Sequence, residues 1–388
     1  MNAAMILTAI SLAIWCYLLL ARGFFWRSRE RDEASPIEPS GGPPPVTAVI
    51  PARNEADVVG RAVASLFAQD YAGAFDVVLV DDQSNDGTAE AARRAALEAR
   101  CESRLTVLPG SPLPSGWTGK LWAVKQGIDH VLGRGAPAHF LLLSDADIAY
   151  APDALGRLIA ESESAGLVLN SRMAKLKCES FAERALIPAF IFFFQMLYPF
   201  AWVNRKGDSF AAAAGGCILL RREPLFAAGG IESIRGELID DCALARRMKA
   251  QGPIRLALSK RVVSLRSYPR IGDIRRMISR SAYAQLHFSP ALLAATVSAM
   301  ALTYIAPPAF AGIASGSAQL LGLASWAAMA IAFQPALRFY GRSAFWGVLL
   351  PAIAGLYLAF TIDSAWQHRR GRGGLWKGRV QAPRSEAA

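Results

Sequence analysis

Histidine and cysteine are scarce in this chain, with four and five residues in 388. The cysteines, Cys16, Cys101, Cys178, Cys217 and Cys242, are odd in number, scattered, and without metal-ligand spacing. They exclude a disulfide framework and a cysteine-held metal, and they fit a reducing compartment. No internal repeat is present, which excludes a solenoid or propeller. The first apolar run, residues 5–21, has no basic residue ahead of it; Arg22, Arg27, Arg29 and Arg31 come after it. A cleaved signal peptide carries its charge before the run and a small-residue cleavage site after it. The run is therefore expected to be an uncleaved anchor with its C-terminal flank in the cytoplasm.

Apolar residue is plentiful, at 53% of the chain with a mean hydropathy of +0.25. The surplus is concentrated in the first run and in residues 291–366. Three stretches there, 291–313, 317–334 and 344–365, approach the roughly 20 residues that span hydrocarbon. The first two have no charge between them and read as a hairpin; Arg338 and Arg342 precede the third. Three full crossings would put the basic tail outside, against the positive-inside rule, which leaves one stretch to be re-entrant or interfacial. The net charge is +11. Its basic clusters, 22–31, 266–280 and 369–384, flank apolar runs, which assigns them to an anionic phospholipid surface and not to nucleic acid.

Between these regions the composition is that of an ordinary globular domain. Residues 27–45 are charged, then rich in Pro and Gly, and read as a linker. Apolar runs at 46–50, 77–80, 105–108 and 140–143 alternate with helical patterns that follow Glu55, span 87–99 and span 121–132. Such alternation predicts an α/β fold with a mostly parallel sheet covered on both faces. Residues 185–203 are nearly all apolar and dense in aromatics. They are expected to lie as a helix in the membrane interface, with a buried core helix as the plainer alternative.

Polar clusters sit where the predicted strands end. Pro51-Ala52-Arg53-Asn54-Glu55 follows the first, Asp81-Asp82-Gln83-Ser84-Asn85-Asp86-Gly87-Thr88 the second, and Ser144-Asp145-Ala146-Asp147 the fourth, with Gly119-Lys120 between them. Each has a plainer reading. Asn54, Ser84, Asn85 or Asp86 can cap a helix, and Lys120 can be a solvated lysine. Jointly they gather at the carboxyl edge of one sheet, where ligands of open α/β folds bind. Asp145 and Asp147 raise each other's pKa unless a cation stands by. A divalent metal carrying a phosphate group is the simplest such cation.

The order V-I-P-A-R-N-E, then V-D-D-Q-S-N-D-G-T, then a strand ending D-A-D, resembles family-two glycosyltransferases of the GT-A fold over residues 46–247. The resemblance implies a Rossmann-like GT-A catalytic domain, which the apolar runs flank with N-terminal and C-terminal transmembrane helices. It implies that Asp82 binds the uracil of a UDP-sugar and that Pro51, Ala52, Arg53 and Glu55 line the nucleotide pocket. Lys120 falls near the diphosphate. Asp147 becomes the main ligand of Mg²⁺ or Mn²⁺, with Asp145 beside it. Further on, Glu237-Leu238-Ile239-Asp240-Asp241 opens a helix that matches the family's E-D motif. Asp241 would be the catalytic base of an inverting transfer and Asp240 stands where the family has Glu. The plainer reading of both acids is that they complement the helix dipole.

Two departures bear on the product. The Q-x-x-R-W motif of processive members has neither Gln nor Trp here; Arg280 alone can stand for its Arg, steadying the diphosphate or, equally, forming a basic collar at lipid headgroups. Their absence disfavours a polysaccharide synthase. Gly215-Gly216-Cys217 is open between an acceptor-side loop and a simple turn. The segments 117–122 and 192–202 are similar to hopanoid-biosynthesis-associated glycosyltransferases, and more distantly to ceramide glucosyltransferases. That implies a membrane lipid acceptor, hopanoid or similar, with a ceramide- or sterol-type lipid as the alternative. A non-catalytic nucleotide-binding scaffold is disfavoured because both the D-x-D and the base are present. The expected layout is an anchor at 1–26, a linker at 27–45, a catalytic domain at 46–286, a transmembrane region at 287–366 and a basic tail at 367–388. The protein is expected to be multi-pass in the cytoplasmic (inner) membrane with its catalytic domain in the cytoplasm.

Overall fold

The computed structural model describes residues 3–33, 42–134 and 138–380. Part of the expected linker (34–41) and part of the basic tail (381–388) lie outside the described residues. The chain forms two compact units. One comprises Glu30–Lys177 and Trp202–Ser267; the other comprises Met1–Arg29, Cys178–Ala201 and Tyr268–Ala388.

The first unit is α/β. Its strands are β1 (Val46–Ala52), β2 (Phe75–Asp81), β3 (Leu105–Pro109), β4 (Phe140–Ser144), β5 (Ile148–Tyr150), β6 (Leu169–Lys175), β7 (Cys217–Arg221) and β8 (Ile254–Ser264). They join one sheet in the order β3-β2-β1-β4-β7-β6-β8-β5. The pairs β1–β2, β1–β4, β2–β3 and β6–β8 are parallel; β4–β7, β6–β7 and β5–β8 are antiparallel. The mostly parallel sheet expected from the sequence is present.

β1 and β4 are buried along their whole lengths, as continuous apolar runs are when both faces of a parallel sheet are covered. Fully buried Leu141 and Leu142 each contribute about 1.5–3 kcal/mol by leaving water. The covering helix Val59–Phe67 buries Val59, Ala62, Val63 and Leu66, the spacing of one helical face. The helix Gly119–Leu132 comes unusually close to the sheet. A Cβ on Gly127 would lie 2.5 Å from Val49 Cγ1, so only glycine permits the approach. That approach seats the first turn of the helix, which carries Lys120, at the sheet's carboxyl edge.

The second unit is helical. Three of its helices, Ala3–Leu20, Pro290–Ile313 and Gly316–Phe339, are long and apolar enough to cross a membrane. The stretch 344–365 is not among them. It breaks into a short turn, Ala344–Gly347, and the helix Leu350–Arg369. That helix carries Asp363, which accepts from Ser279 Oγ at 2.9 Å and pairs with Arg275 at 3.3 Å. Pro290–Ile313 contains a π-helical turn at Ala301–Ile305. Pro307 and Pro308 follow it and have no N–H for the Thr303 carbonyl. Trp15 Nε1 donates to that carbonyl at 2.9 Å, and Ser11 Oγ donates to Leu302 O at 2.9 Å, which ties the first helix to the turn.

Residues 178–201 and 268–286, expected within the catalytic domain, cluster with the terminal helices instead. The aromatic stretch expected in the interface forms the helix Phe181–Leu197. Its capping box joins Ser180 and Glu183, and Leu186, Ile187, Ala189, Ile191, Phe192 and Phe193 are buried.

Candidate active site

β1 to β4 run parallel, so Arg53, Asp82, Gly110 and Asp145 all emerge at one edge. The antiparallel β7 begins at the same edge, with Cys217 opposite Ser144. β8 ends there as well, because Ser264 pairs with Ile148 just past Asp147.

The loops after β1 and β2 are laced together. Asn54 lies at φ 51° and Gln83 at φ 56°, and Asn54 is held there by bonds to the second loop. The Asn54 N–H donates to Ser84 Oγ at 3.0 Å, and the Asn85 N–H donates to Asn54 Oδ1 at 3.0 Å. The Glu55 N–H donates to Thr88 Oγ1 at 2.9 Å and the Ala56 N–H to Asp86 Oδ2 at 3.0 Å. Asn54 therefore crosses to the next loop and does not cap the helix that follows it. Asp82 is 1% exposed. Arg53 Nη1 donates to its carbonyl at 2.5 Å and stands 3.8 Å from its carboxylate. Gly110 is required beside it, since a Cβ there would fall 2.9 Å from the Asp81 carbonyl.

Lys120 forms the centre of the second group. Its ammonium is 2.9 Å from Asp145 Oδ1 and 3.2 Å from Asp240 Oδ2. Burial works against its charge, yet Asp145, Asp240 and Asp241 outweigh burial and hold its pKa above the ordinary lysine range. It is not the solvated lysine of the plainer reading. Asp241 accepts the Gly215 N–H on Oδ2 at 2.9 Å and the Cys242 N–H on Oδ1 at 2.7 Å. Burial, then the Asp240 carboxylate, push Asp241 up from 3.8 to about 6; Lys120 and the two N–H groups resist that rise. A Cβ on Gly215 would lie 3.2 Å from Lys120 Nζ and 3.3 Å from Asp241 Oδ2. This glycine thus keeps the space between Asp241 and Lys120 open.

Asp147 belongs to a third group. Arg266 Nε donates to its Oδ2 at 2.7 Å, while Arg266 Nη2 donates to both Glu55 oxygens at 2.7 and 2.5 Å. Burial raises the pKa of Asp145, which Lys120 opposes and Asp147 assists. The pair of acids therefore has protein countercharges already, Lys120 on one and Arg266 on the other. The electrostatic demand for a metal that the sequence suggested is met within the chain. The donors still fit an ion. Asp145 and Asp147 offer the hard carboxylate oxygens that Mg²⁺ or Mn²⁺ prefers. Among the described residues no cluster of three or more His, Cys, Asp or Glu surrounds them, so an ion there would complete its shell with diphosphate oxygens and water.

Pro51, Lys120, Asp145, Gly215, Asp240 and Asp241 line one narrow cavity of about 20 Å³, room for about one water. A larger hollow of about 490 Å³, lined by Glu237, Arg246 and Arg247, holds none of the chemistry-bearing residues. Thus Pro51, Ala52, Arg53, Glu55, Asp82, Lys120, Asp145, Asp147, Asp240 and Asp241 all lie in the α/β unit. Arg280 is in the helical unit, exposed after the helix Ile271–Ser279. Sequence reasoning missed Arg266, which it counted among membrane-flanking bases, and the Gly215 N–H. The local signal for Arg266 was its position two residues past β8, a strand that itself escaped notice.

Residues 47–226 match a family model described as glycosyl transferase family 2. Among solved structures, the chain is similar to the mannosyltransferase PcManGT from Pyrobaculum calidifontis in complex with GDP-Man and Mn²⁺. Identity is 23% over 93% of this chain and 99% of that one, with a TM-score of 0.58. Mannosyl-3-phosphoglycerate synthase from Rubrobacter xylanophilus is similar at 18% identity, over 60% and 70% of the two chains, with a TM-score of 0.36. No curated protein matches the sequence significantly. Residues 47–226 thus match glycosyl transferase family 2 on a GT-A-like, mostly parallel sheet, and this match supports a glycosyltransferase.

Proposed function

We propose that the protein transfers a sugar, with inversion, from a UDP-sugar to a hydroxyl of a membrane lipid at the cytoplasmic face of the inner membrane. The observation that carries this reading is the convergence of Asp145, Asp240 and Asp241 on Lys120 at the carboxyl edge of β4. Asp241 is the base. Its burial keeps it weakly basic near neutral pH, where a general base works best. It takes the acceptor hydroxyl's proton as that oxygen bonds to the sugar's anomeric carbon. The carbon's bond to the diphosphate breaks, and the diphosphate leaves with the electron pair.

Lys120 holds the donor turn and the base helix at a fixed distance and offers a point charge to the diphosphate. Asp82, with Arg53 clamped to it, faces the nucleobase; Pro51, Ala52 and Glu55 shape the pocket. Asp145 and Asp147 would hold Mg²⁺ or Mn²⁺, which supplies Lewis-acid neutralisation of the departing diphosphate when bound. A GDP-sugar donor is the second reading, favoured by the GDP-Man in the PcManGT complex.

A lipid acceptor is supported by the three spanning-length helices and by the exposed aromatics of the helical unit. Phe181 is 72% and Phe345 66% exposed. Arg27 lies 4.7 Å over the Phe24 ring and Arg370 4.5 Å over the Trp366 ring. Aromatic and basic pairs of this kind suit a headgroup layer of anionic phospholipid. The resemblance of 117–122 and 192–202 directs the choice of lipid to a hopanoid or similar polycyclic alcohol. Membranes containing the protein, incubated with a panel of UDP- and GDP-sugars and analysed by mass spectrometry, test the reading. A new glycolipid made by the wild type and not by Asp241→Asn supports it. Sugar released only as free hexose under every condition sinks the lipid acceptor.

A further inference from the structure

Arg266 lies two residues past β8 and joins three strand ends. Asp147 is on the turn after β4, Glu55 follows β1, and Arg266 bonds both at 2.5–2.7 Å. The side chains are poorly exposed, at 29% for Arg266, 14% for Asp147 and 10% for Glu55. Neither the proposed reaction nor the membrane flank uses this arginine. It occupies Asp147 Oδ2, one of the oxygens from which a divalent ion would be held.

A metal ion coordinates carboxylate oxygen at about 2 Å, inside the space the guanidinium nitrogen now takes. The two cations also repel each other strongly when poorly solvated. We propose that Arg266 is a positioning residue that reserves Asp147 in the free protein and yields it only when metal and nucleoside diphosphate arrive together. The inference rests on reading Asp147 as a metal ligand. Metal alone must break a sheltered guanidinium–carboxylate pair and leave Arg266 with Glu55 only. A diphosphate changes that balance. Its oxygens accept from the displaced guanidinium in the bidentate manner arginine favours, which offsets the lost bond to Asp147. Metal and nucleotide then strengthen each other's binding, reciprocally.

The test is equilibrium binding of Mn²⁺ to the full chain in detergent, read by electron paramagnetic resonance, with and without UDP or GDP. In the wild type the nucleotide should tighten Mn²⁺ by about tenfold or more. Arg266→Gln should bind Mn²⁺ alone about tenfold more tightly, and the nucleotide's effect should shrink by about that factor, leaving the part that diphosphate oxygens on the ion supply. Arg266→Lys, which keeps the charge but loses the fork, should fall between them and covers the case in which Arg266→Gln does not fold. Wild-type affinity and wild-type coupling in both variants would overturn the proposal. Asp147→Asn separates the two levels. If it abolishes Mn²⁺ binding while the Arg266 variants behave as wild type, only the reservation role is lost. If it binds Mn²⁺ as the wild type does, the ligand reading is lost and the proposal with it.

Discussion

Lys120 Nζ lies 2.9 Å from Asp145 Oδ1, joining the first turn of the helix Gly119–Leu132 to the turn that follows β4. The same ammonium lies 3.2 Å from Asp240, next to the proposed base. One cation thus joins the proposed donor side to the proposed acceptor side. Lys120→Met removes a charge that holds Asp241 down. The low-pH limb of kcat/KM should move up from about 6, and kcat should fall. An unmoved limb with unchanged kcat would show that Lys120 does not act on the base.

As the proposed base, Asp241 should set the pH dependence of the wild type. With a pKa raised from 3.8 to about 6, it is charged and competent above about 6, so kcat/KM should fall as pH drops through that value. Stability runs the other way for this group. The folded protein holds the Asp241 proton more tightly than the unfolded chain does, so its contribution is full below 3.8 and is lost as pH rises through about 6. Asp241→Asn should bind nucleotide as the wild type does and lose turnover by several orders of magnitude. Loss of nucleotide binding in that variant, read by calorimetry, would count against the base role.

Asp147→Asn should weaken metal-dependent nucleotide binding and abolish transfer. Transfer that persists in the presence of a chelator would show that the cations within the chain suffice.

Gly215→Ala places a methyl group 3.2 Å from Lys120 Nζ and 3.3 Å from Asp241 Oδ2. These contacts are tight, and both neighbours are ion-paired or hydrogen-bonded. The expected result is a fall in kcat of about tenfold or more, as small misplacements of catalytic groups produce, with thermal stability little changed. Equal kcat in the variant would return this glycine to the role of a simple turn.

Trp15→Phe removes the donor to the Thr303 carbonyl, which Pro307 and Pro308 cannot serve. The carbonyl is left in an apolar setting, at a cost of about 1–3 kcal/mol. Thermal unfolding in detergent should shift down accordingly, while nucleotide binding is retained.

The apolar runs of β1, β2 and β4 were legible because each is short, continuous and followed by a polar cluster. β6 was not. It reads Leu169-Asn170-Ser171-Arg172-Met173-Ala174-Lys175, without strand alternation, yet it is buried nearly throughout. Arg172 is 3% exposed and is satisfied by Asn170 at 2.5 Å and by an ion pair to Glu161. Polarity in such a strand is tolerated only because partners from elsewhere neutralise it, and no local pattern announces those partners. Which of the three C-terminal stretches departs from a full span was not legible either, and it is 344–365 that falls outside the spanning-length helices. Its apolar content suggested a span, but Asp363 is held by Ser279 and Arg275 from another helix.

By itself the sequence determined which acids would stand at the carboxyl edge. The end of a buried strand is a local property, and Asp82, Asp145 and Asp147 follow such ends directly. The tertiary structure alone decided which cations would meet them. Arg266 is 119 residues from Asp147 in the chain and reaches it only because β8 ends beside β5. Charges interact through distance in space, and that distance is set by the strand order, which no window of sequence contains.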